Sequence, residues 1–374
     1  MRRYVPWLVA VGLIIPRLAQ GIPYVYVANA DSDDVTVIDA ATNAVVTVAA
    51  DIEPRNPAVS PTGSRVYVPN RHADNVTVIN GVTNAVITTI SDPGFNEPYS
   101  AAVSPDGSRV YIANKKGGTL FNGSLTVINA GNNTVITTIE DACFGSPEWV
   151  TVNPAGARAY VVNRQSDSVC IVDTAGNSVV GSVSVGSEPR SAVVSCDGAF
   201  VYVANNAGNP DVTRIRTSDN SVFGIDFTGS ANPRNMSMTP DGSKVYVGLQ
   251  NNSLGIIDTA AATASKLTLA GASSTYGTAV TADGALVFVT DESTGDVHVV
   301  AAATDTEITG AGFPIGAGTT PRGLATAFAC RRVSRAAAPM SSPLALLVTV
   351  VMLVAVGTGY RRVVRARPAE PVMS

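Results

Sequence analysis

The sequence predicts an all-β chain folded as a seven-bladed β-propeller, each blade a four-stranded antiparallel sheet. Three observations carry this. Near-copies of one segment occur seven times: "VYVANADSDDVTVIDAATNAVV" from Val25, then copies from Val66, Val110, Ala159, Val201, Val245 and Val287. The register aromatics Tyr26, Tyr67, Tyr111, Tyr160, Tyr202, Tyr246 and Phe288 are spaced 41, 44, 49, 42, 44 and 42 residues apart, the period of a propeller blade. Each unit also resolves into four short runs of alternating apolar residues.

Blade 2 illustrates the elements in order: Pro54–Ser60, Arg65–Asn70, Asn75–Asn80 and Ala85–Ile90. The first two runs are joined by "SPTGS", elsewhere "SPDGS" or "TPDGS", in which Pro sets φ and Gly supplies the positive φ of a tight reversal. Thr-Asn pairs such as Thr42-Asn43 and Thr83-Asn84 turn the third run into the fourth. Val, Ile, Thr and Tyr dominate the runs, so a helical reading finds no support. The domain opens at a second strand, Ile22–Ala28, with no first strand before it. The missing strand stands at the far end as "PRGLATAF", residues 321–328, matching "PRSAVVS" at Pro189–Ser195. That C-terminal strand is expected to complete blade 1 and remove the open edges of the ring.

The recurring "YVxN…VxVID…TNxVV…PRxxAVSPDGS" resembles the YVTN family of seven-bladed propellers over about residues 22–328. Repeats 5 to 7 depart from the pattern; Arg216 and Ala301 stand where Asp39 and Asp173 stand. The resemblance implies an exported or surface protein, related in fold to lactonases, to quinoprotein propellers and to the propeller domain of nitrous-oxide reductase. It implies no particular activity, because propellers host many.

The ends predict an address. Residues 1–21 read as a signal peptide: Arg2-Arg3, an apolar stretch through Ile15, then Ala19-Gln20-Gly21. After a linker (329–342) rich in Ala, Ser and Pro, residues 343–360 read as a transmembrane helix. From Met340 to Tyr360 a helix would cover about 30 Å, one bilayer crossing. The basic tail 361–374, with Arg361, Arg362, Arg365 and Arg367, should stay cytoplasmic. An apolar span before a basic tail is also the pattern of a cleavable sorting segment. Between Ile22 and Phe328 there are 15 basic against 28 acidic residues, about −13, which argues against nucleic acid as a partner. In an oxidising compartment the four cysteines allow three pairings, of which Cys143–Cys170 is favoured by position; a buried thiol at Cys170 is the other reading.

Chemistry is sparse. The two histidines, His72 and His298, fall in different blades, and no G-x-S-x-G, Walker loop, H-E-x-x-H or C-x-x-C occurs. No catalytic residue, metal site or cofactor is expected. "DSDD" at Asp31–Asp34 and the recurring Asp39, Asn80, Asn129, Asp173 and Asp258 read as turn caps rather than cation ligands.

One constellation points to a ligand. The residue opening each first strand should ring the channel mouth: Arg55, Tyr99, Glu148, Arg190, Arg234, Tyr276 and Arg322. Four arginines around one hole would attract a carboxylate or phosphate group; alternatively, each arginine pairs with a neighbouring acid. A second candidate is a partner face at the insertion of repeat 3, with Lys115, Lys116 and Phe121 beside Phe95, Phe144 and Trp149, suited to a sugar or peptide. Trp149 fits equally as a plug between blades 3 and 4. The functional expectation is an envelope-anchored binding or scaffold module for a protein, glycan or small anion. The alternative is a lactonase-like hydrolase with a divalent cation in the channel.

Overall fold

The computed structural model describes residues 24–116, 122–229, 231–327 and Cys330. The expected signal peptide, linker, membrane helix and basic tail lie outside them. Among the described residues no helix is long and apolar enough to cross a membrane.

Seven antiparallel sheets form the ring. Blades 2 to 6 each take four consecutive strands, and their order within each sheet follows the chain. Blade 1 is composite: Pro321–Thr326 pairs antiparallel with Tyr24–Asn29, which continues to Asp34–Asp39 and Val45–Ala49. The C-terminal clasp therefore forms as the repeat pattern predicts. The first strand of each blade touches the first strand of the next around the whole circle, so these strands line the channel.

Two strands depart from the expected lengths. In blade 2 only Ala58–Val59 pairs where Pro54–Ser60 was expected, with isolated bridges at Pro54 and Asn56. Pro54 and Pro57 lack the N–H that a continuous ladder needs. In blade 7 the outer strand shrinks to Thr306–Glu307, and Ile315–Gly316 adds a second short pairing to Asp296–Ala301.

The core is divided among the seams between blades. Seven buried clusters occur, one at each junction, including the seam from blade 7 to the clasped blade 1. The register aromatics belong to these seams, and Tyr26, Tyr67, Tyr111, Tyr202, Tyr246 and Phe288 are among the largest fully buried side chains. Burial at this scale is worth about 1.5–3 kcal/mol per large apolar side chain. The tyrosines also lock neighbours by hydrogen bonds: the Tyr26 hydroxyl donates to Gly81 O at 3.2 Å, and the Tyr246 hydroxyl to Asp305 at 2.7 Å. In blades 1 to 5 the Asn of "YVxN" is buried, and Leu249 and Asp291 replace it in blades 6 and 7; Asn70 Nδ2 donates to Asn75 and Thr77 at 2.7 and 2.8 Å.

The turn readings hold. Asp39 accepts from Ala41 and Thr42 N–H, Asn80 from Val82 and Thr83, and Asp258 from Ala260 and Ala261. Within "DSDD", Asp33 accepts from Glu53 N–H at 2.8 Å and Asp34 from Asn29 at 2.6 Å. Both carboxylates are spent on the fold.

Cys143 is bonded to Cys170, and Cys196 in blade 5 to Cys330 beyond the clasp strand. The positional preference for Cys143–Cys170 is borne out over a free thiol at Cys170. The second bond joins chain segments 134 residues apart.

Candidate functional site

The seven ring positions share a local cause. In six blades the residue two places before the ring position is left-handed: Glu53, Glu97, Ser146, Glu188, Asn232 and Thr320, with φ between 46° and 59°. Proline follows each of them. A non-glycine residue held there costs about 1–2 kcal/mol. Part of the compensation is visible, since Asp33, Asp74 and Asp167 of preceding blades accept the N–H of Glu53, Glu97 and Glu188 at 2.7–2.8 Å. The ladder then shifts register at the ring residue itself, between Pro98 and Ser100, Pro147 and Trp149, Pro189 and Ser191, and Pro233 and Met236. Tyr276 and Arg322 lie in equivalent irregularities. A bulge re-aims one side chain out of the pleat.

Those side chains meet. The Arg55 guanidinium lies 5.2 Å from the centre of the Tyr99 ring, with Lys115 on the same ring at 5.2 Å. Arg234 and Arg322 lie 5.4 and 5.7 Å from the centre of the Tyr276 ring. These are cation–π distances. Glu148 is fully buried and pairs with Arg190 and Lys115, each at 2.8 Å, and with Arg164 at 3.9 Å. Arg55 pairs with Glu53, which also holds Arg71 at 3.1 Å and His72 at 2.6 Å. Arg71 continues to Glu97 at 2.9 Å, and Lys116 joins the same carboxylate. Glu188 takes Arg164 at 2.8 Å and Arg190 at 3.6 Å. Arg322 reaches Glu292 at 3.3 Å, and Arg234 donates to the neutral Gln250.

The pairing reading of the ring is realised in part: Arg55, Arg190 and Arg322 pair with nearby acids, while Arg234 does not. Seven Lys and Arg side chains around the mouth pair with five carboxylates, Arg234 has only the neutral Gln250, and Asp33, Asp74 and Asp167 stand one hydrogen bond behind Glu53, Glu97 and Glu188. Arg55 is 3% and Arg234 9% exposed. Among the described residues, Arg55 Nε and Nη1, Arg190 Nε and Arg234 Nε are buried and donate to no protein acceptor. These donors are left unsatisfied by the protein's own acceptors.

The electrostatics agree with close approach across the channel. Burial, reinforced by Arg322 and Arg71 and only partly offset by Tyr99 and Tyr276, holds Arg55 below the ordinary guanidinium value. Burial and the charge of Arg190 do the same to Arg234. Burial would lower Arg190 too, but Glu148 and the two phenols raise it. Burial and then Tyr99 push the Tyr276 phenol up, so it stays a neutral donor.

Below the ring the channel is bridged. Asn235 Nδ2 of blade 6 donates to Asn56 Oδ1 of blade 2 at 2.6 Å, and Asn56 Nδ2 donates to Tyr99 O at 3.1 Å. The two asparagines are 179 residues apart and on opposite sides of the ring. The mouth is consequently a cup with an amide floor. Gly323 lets the clasp strand pack closely on this part of blade 2: a Cβ there would stand 2.6 Å from the Asn56 Cα.

The partner-face expectation needs correction. Phe144 is 1% exposed in the seam between blades 3 and 4, and Phe95 is buried between blades 2 and 3. With Phe227 they repeat one seam-capping position, held by apolar packing rather than offered to solvent. Trp149 is partly buried, against the seam between blades 4 and 5 rather than 3 and 4. Phe121 lies outside the described residues. Lys115 and Lys116 belong to the ion-pair network of the mouth. Sequence reasoning missed Glu53, Glu97, Glu188, Glu292, Arg71 and Arg164; the repeated Glu-Pro before Arg55, Tyr99 and Arg190 was the available signal.

Among the described residues no three His, Cys, Asp or Glu side chains are grouped to hold a metal ion. No family model matches the sequence. No curated protein matches it either. Solved structures do resemble the fold. Hydrazine synthase of Kuenenia stuttgartiensis shares 21% identity, with 79% of this chain and 99% of that chain covered and a TM-score of 0.65. A functionally unknown protein from Desulfotomaculum acetoxidans DSM 771 shares 14%, with 80% and 99% covered and a TM-score of 0.64. Dihydro-heme d1 dehydrogenase NirN, in complex with DHE, shares 15%, with 81% and 75% covered and a TM-score of 0.56. At these identities the likeness is one of fold alone, the seven-bladed propeller.

Proposed function

We propose that the protein is an exported β-propeller of the YVTN type, tethered at the cell envelope, and that it works as a binding module whose channel mouth takes an anionic ligand. The observation that carries this reading is the cup itself: four of its seven ring residues are arginines, and buried guanidinium donors among them find no protein acceptor. Two disulfides support an oxidising compartment, where such bonds persist. The domain is acidic as a whole, so the basic mouth is a local feature that would focus an anion rather than attract polyanions broadly. A protein or glycan carrying an acidic group would use the same cup.

The hydrolase alternative is disfavoured by charge. Glu148, the one ring carboxylate, is already neutralised by Arg190 and Lys115, and a divalent cation beside four arginines would be repelled. The test is calorimetric titration of the full-length chain with a panel of anions, neutral sugars and divalent cations at constant ionic strength. Saturable binding of an anion, weakened by Arg322→Gln, supports the reading. Binding of only cations or neutral sugars would refute it.

A further inference from the structure

We propose that the channel mouth binds one tetrahedral dianion, a phosphate or phosphate monoester, over the Asn56–Asn235 bridge and among Arg55, Arg190, Arg234 and Arg322. This rests on the reading of the mouth as an anion site and names the ligand class. Direction is the first argument. The buried donors without acceptors belong to Arg55 of blade 2, Arg190 of blade 5 and Arg234 of blade 6, so they approach from opposite sides of the channel. A planar carboxylate is satisfied by one guanidinium fork, whereas donors on several sides match oxygens pointing several ways. Charge is the second argument. The seven ring positions carry four arginines and one carboxylate, Glu148, which suits a group carrying about −1.5 to −2 at neutral pH, as a phosphate monoester does. Depth is the third. The 2.6 Å amide bridge spans the channel, so the ligand head must be compact rather than a chain threaded through.

The cup also explains why Glu148 is so fully committed: with Lys115 and Arg190 at 2.8 Å it is screened, and an incoming anion meets guanidinium rather than carboxylate.

The experiment is isothermal titration of the purified full-length chain at fixed ionic strength. The probes are inorganic phosphate, glycerol phosphate, sulfate, acetate and succinate, with phosphatidylcholine vesicles plain or carrying phosphatidic acid. The expected result is one-to-one binding of phosphate, glycerol phosphate and sulfate. It should weaken about 10–100-fold in Arg234→Gln, as loss of one charged hydrogen bond implies, and recover in part in Arg234→Lys. Arg322→Gln, at a more exposed position, serves as the second variant should Arg234→Gln fail to fold. Capture of the phosphatidic-acid vesicles assigns the phosphate to a lipid headgroup; binding of free glycerol phosphate alone assigns it to a soluble monoester. Either supports the proposal. Binding of acetate or succinate without the tetrahedral anions would overturn the ligand class and leave the anionic mouth standing. No anion bound at all would overturn both, leaving water on the buried donors. Binding unchanged in both Arg234→Gln and Arg322→Gln would place the anion elsewhere and sink the proposal.

Discussion

Removing the Cys196–Cys330 bond by the paired substitutions Cys196→Ser and Cys330→Ser should destabilise the propeller more than removing Cys143–Cys170 in the same way. The two bonds close loops of very different length, 134 and 27 residues apart in sequence. In the chain-entropy description, the long loop restrains the unfolded chain by about 5 kcal/mol and the short one by about 3.5 kcal/mol at 25 °C. A domain of this length loses roughly 2 °C of midpoint per kcal/mol. The expected falls are therefore about 10 °C and about 7 °C, read by differential scanning calorimetry of the full-length chain under non-reducing conditions. The long bond has a further effect on the native side, because Cys330 follows the strand that completes blade 1. An equal or smaller fall for the Cys196–Cys330 pair would refute the loop-length argument.

The remaining expectations concern the cup and its floor. Asn56→Ala leaves Asn235 Nδ2 without its buried acceptor and should cost about 1–3 kcal/mol, while Asn56→Ala with Asn235→Ala should cost less than the sum of the single variants; a double-mutant cycle in denaturant measures this. Gly323→Ala forces a Cβ to within 2.6 Å of the Asn56 Cα and should cost about 1–3 kcal/mol by overpacking, visible as a lower melting midpoint; an unchanged midpoint would show that the seam can yield. Burial alone would raise Glu97, but bonds from Lys116 and Arg71 outweigh it and hold the carboxyl below its ordinary value of 4.5. Its contribution to stability is therefore complete above about pH 4.5 and disappears as pH falls through the lower folded value, so Glu97→Gln should flatten that part of a melting-midpoint-against-pH curve.

The blades, their order and the clasp were legible because repetition multiplies a weak signal: one "VYVAN" proves little, seven at a steady spacing prove a ring. The ring positions were legible for the same reason, each following a repeat-marked opening of the first strand. The carboxylates that partner them were not read, because Glu53, Glu97 and Glu188 hold left-handed positions at the entry to their first strands, where no periodicity tells inward from outward. Nothing local could reveal that Asn56 meets Asn235, since the contact depends on the curvature of the closed ring. Phe95 and Phe144 misled for a related reason. A loop aromatic looks exposed one repeat at a time, and only the joined blades show that it caps a seam.

The Cys196–Cys330 bond also sets the path of mechanical load. Tension applied to the chain beyond Cys330 arrives first at a sulfur that is covalently shared with blade 5. Without that bond, the same pull would act along Pro321–Thr326 alone, peeling the closing strand from Tyr24–Asn29 one backbone pair at a time. With it, the force divides between two distant blades and must shear several seams together. A propeller hung by its C-terminal end would then yield as a whole disc rather than unravel from its last strand.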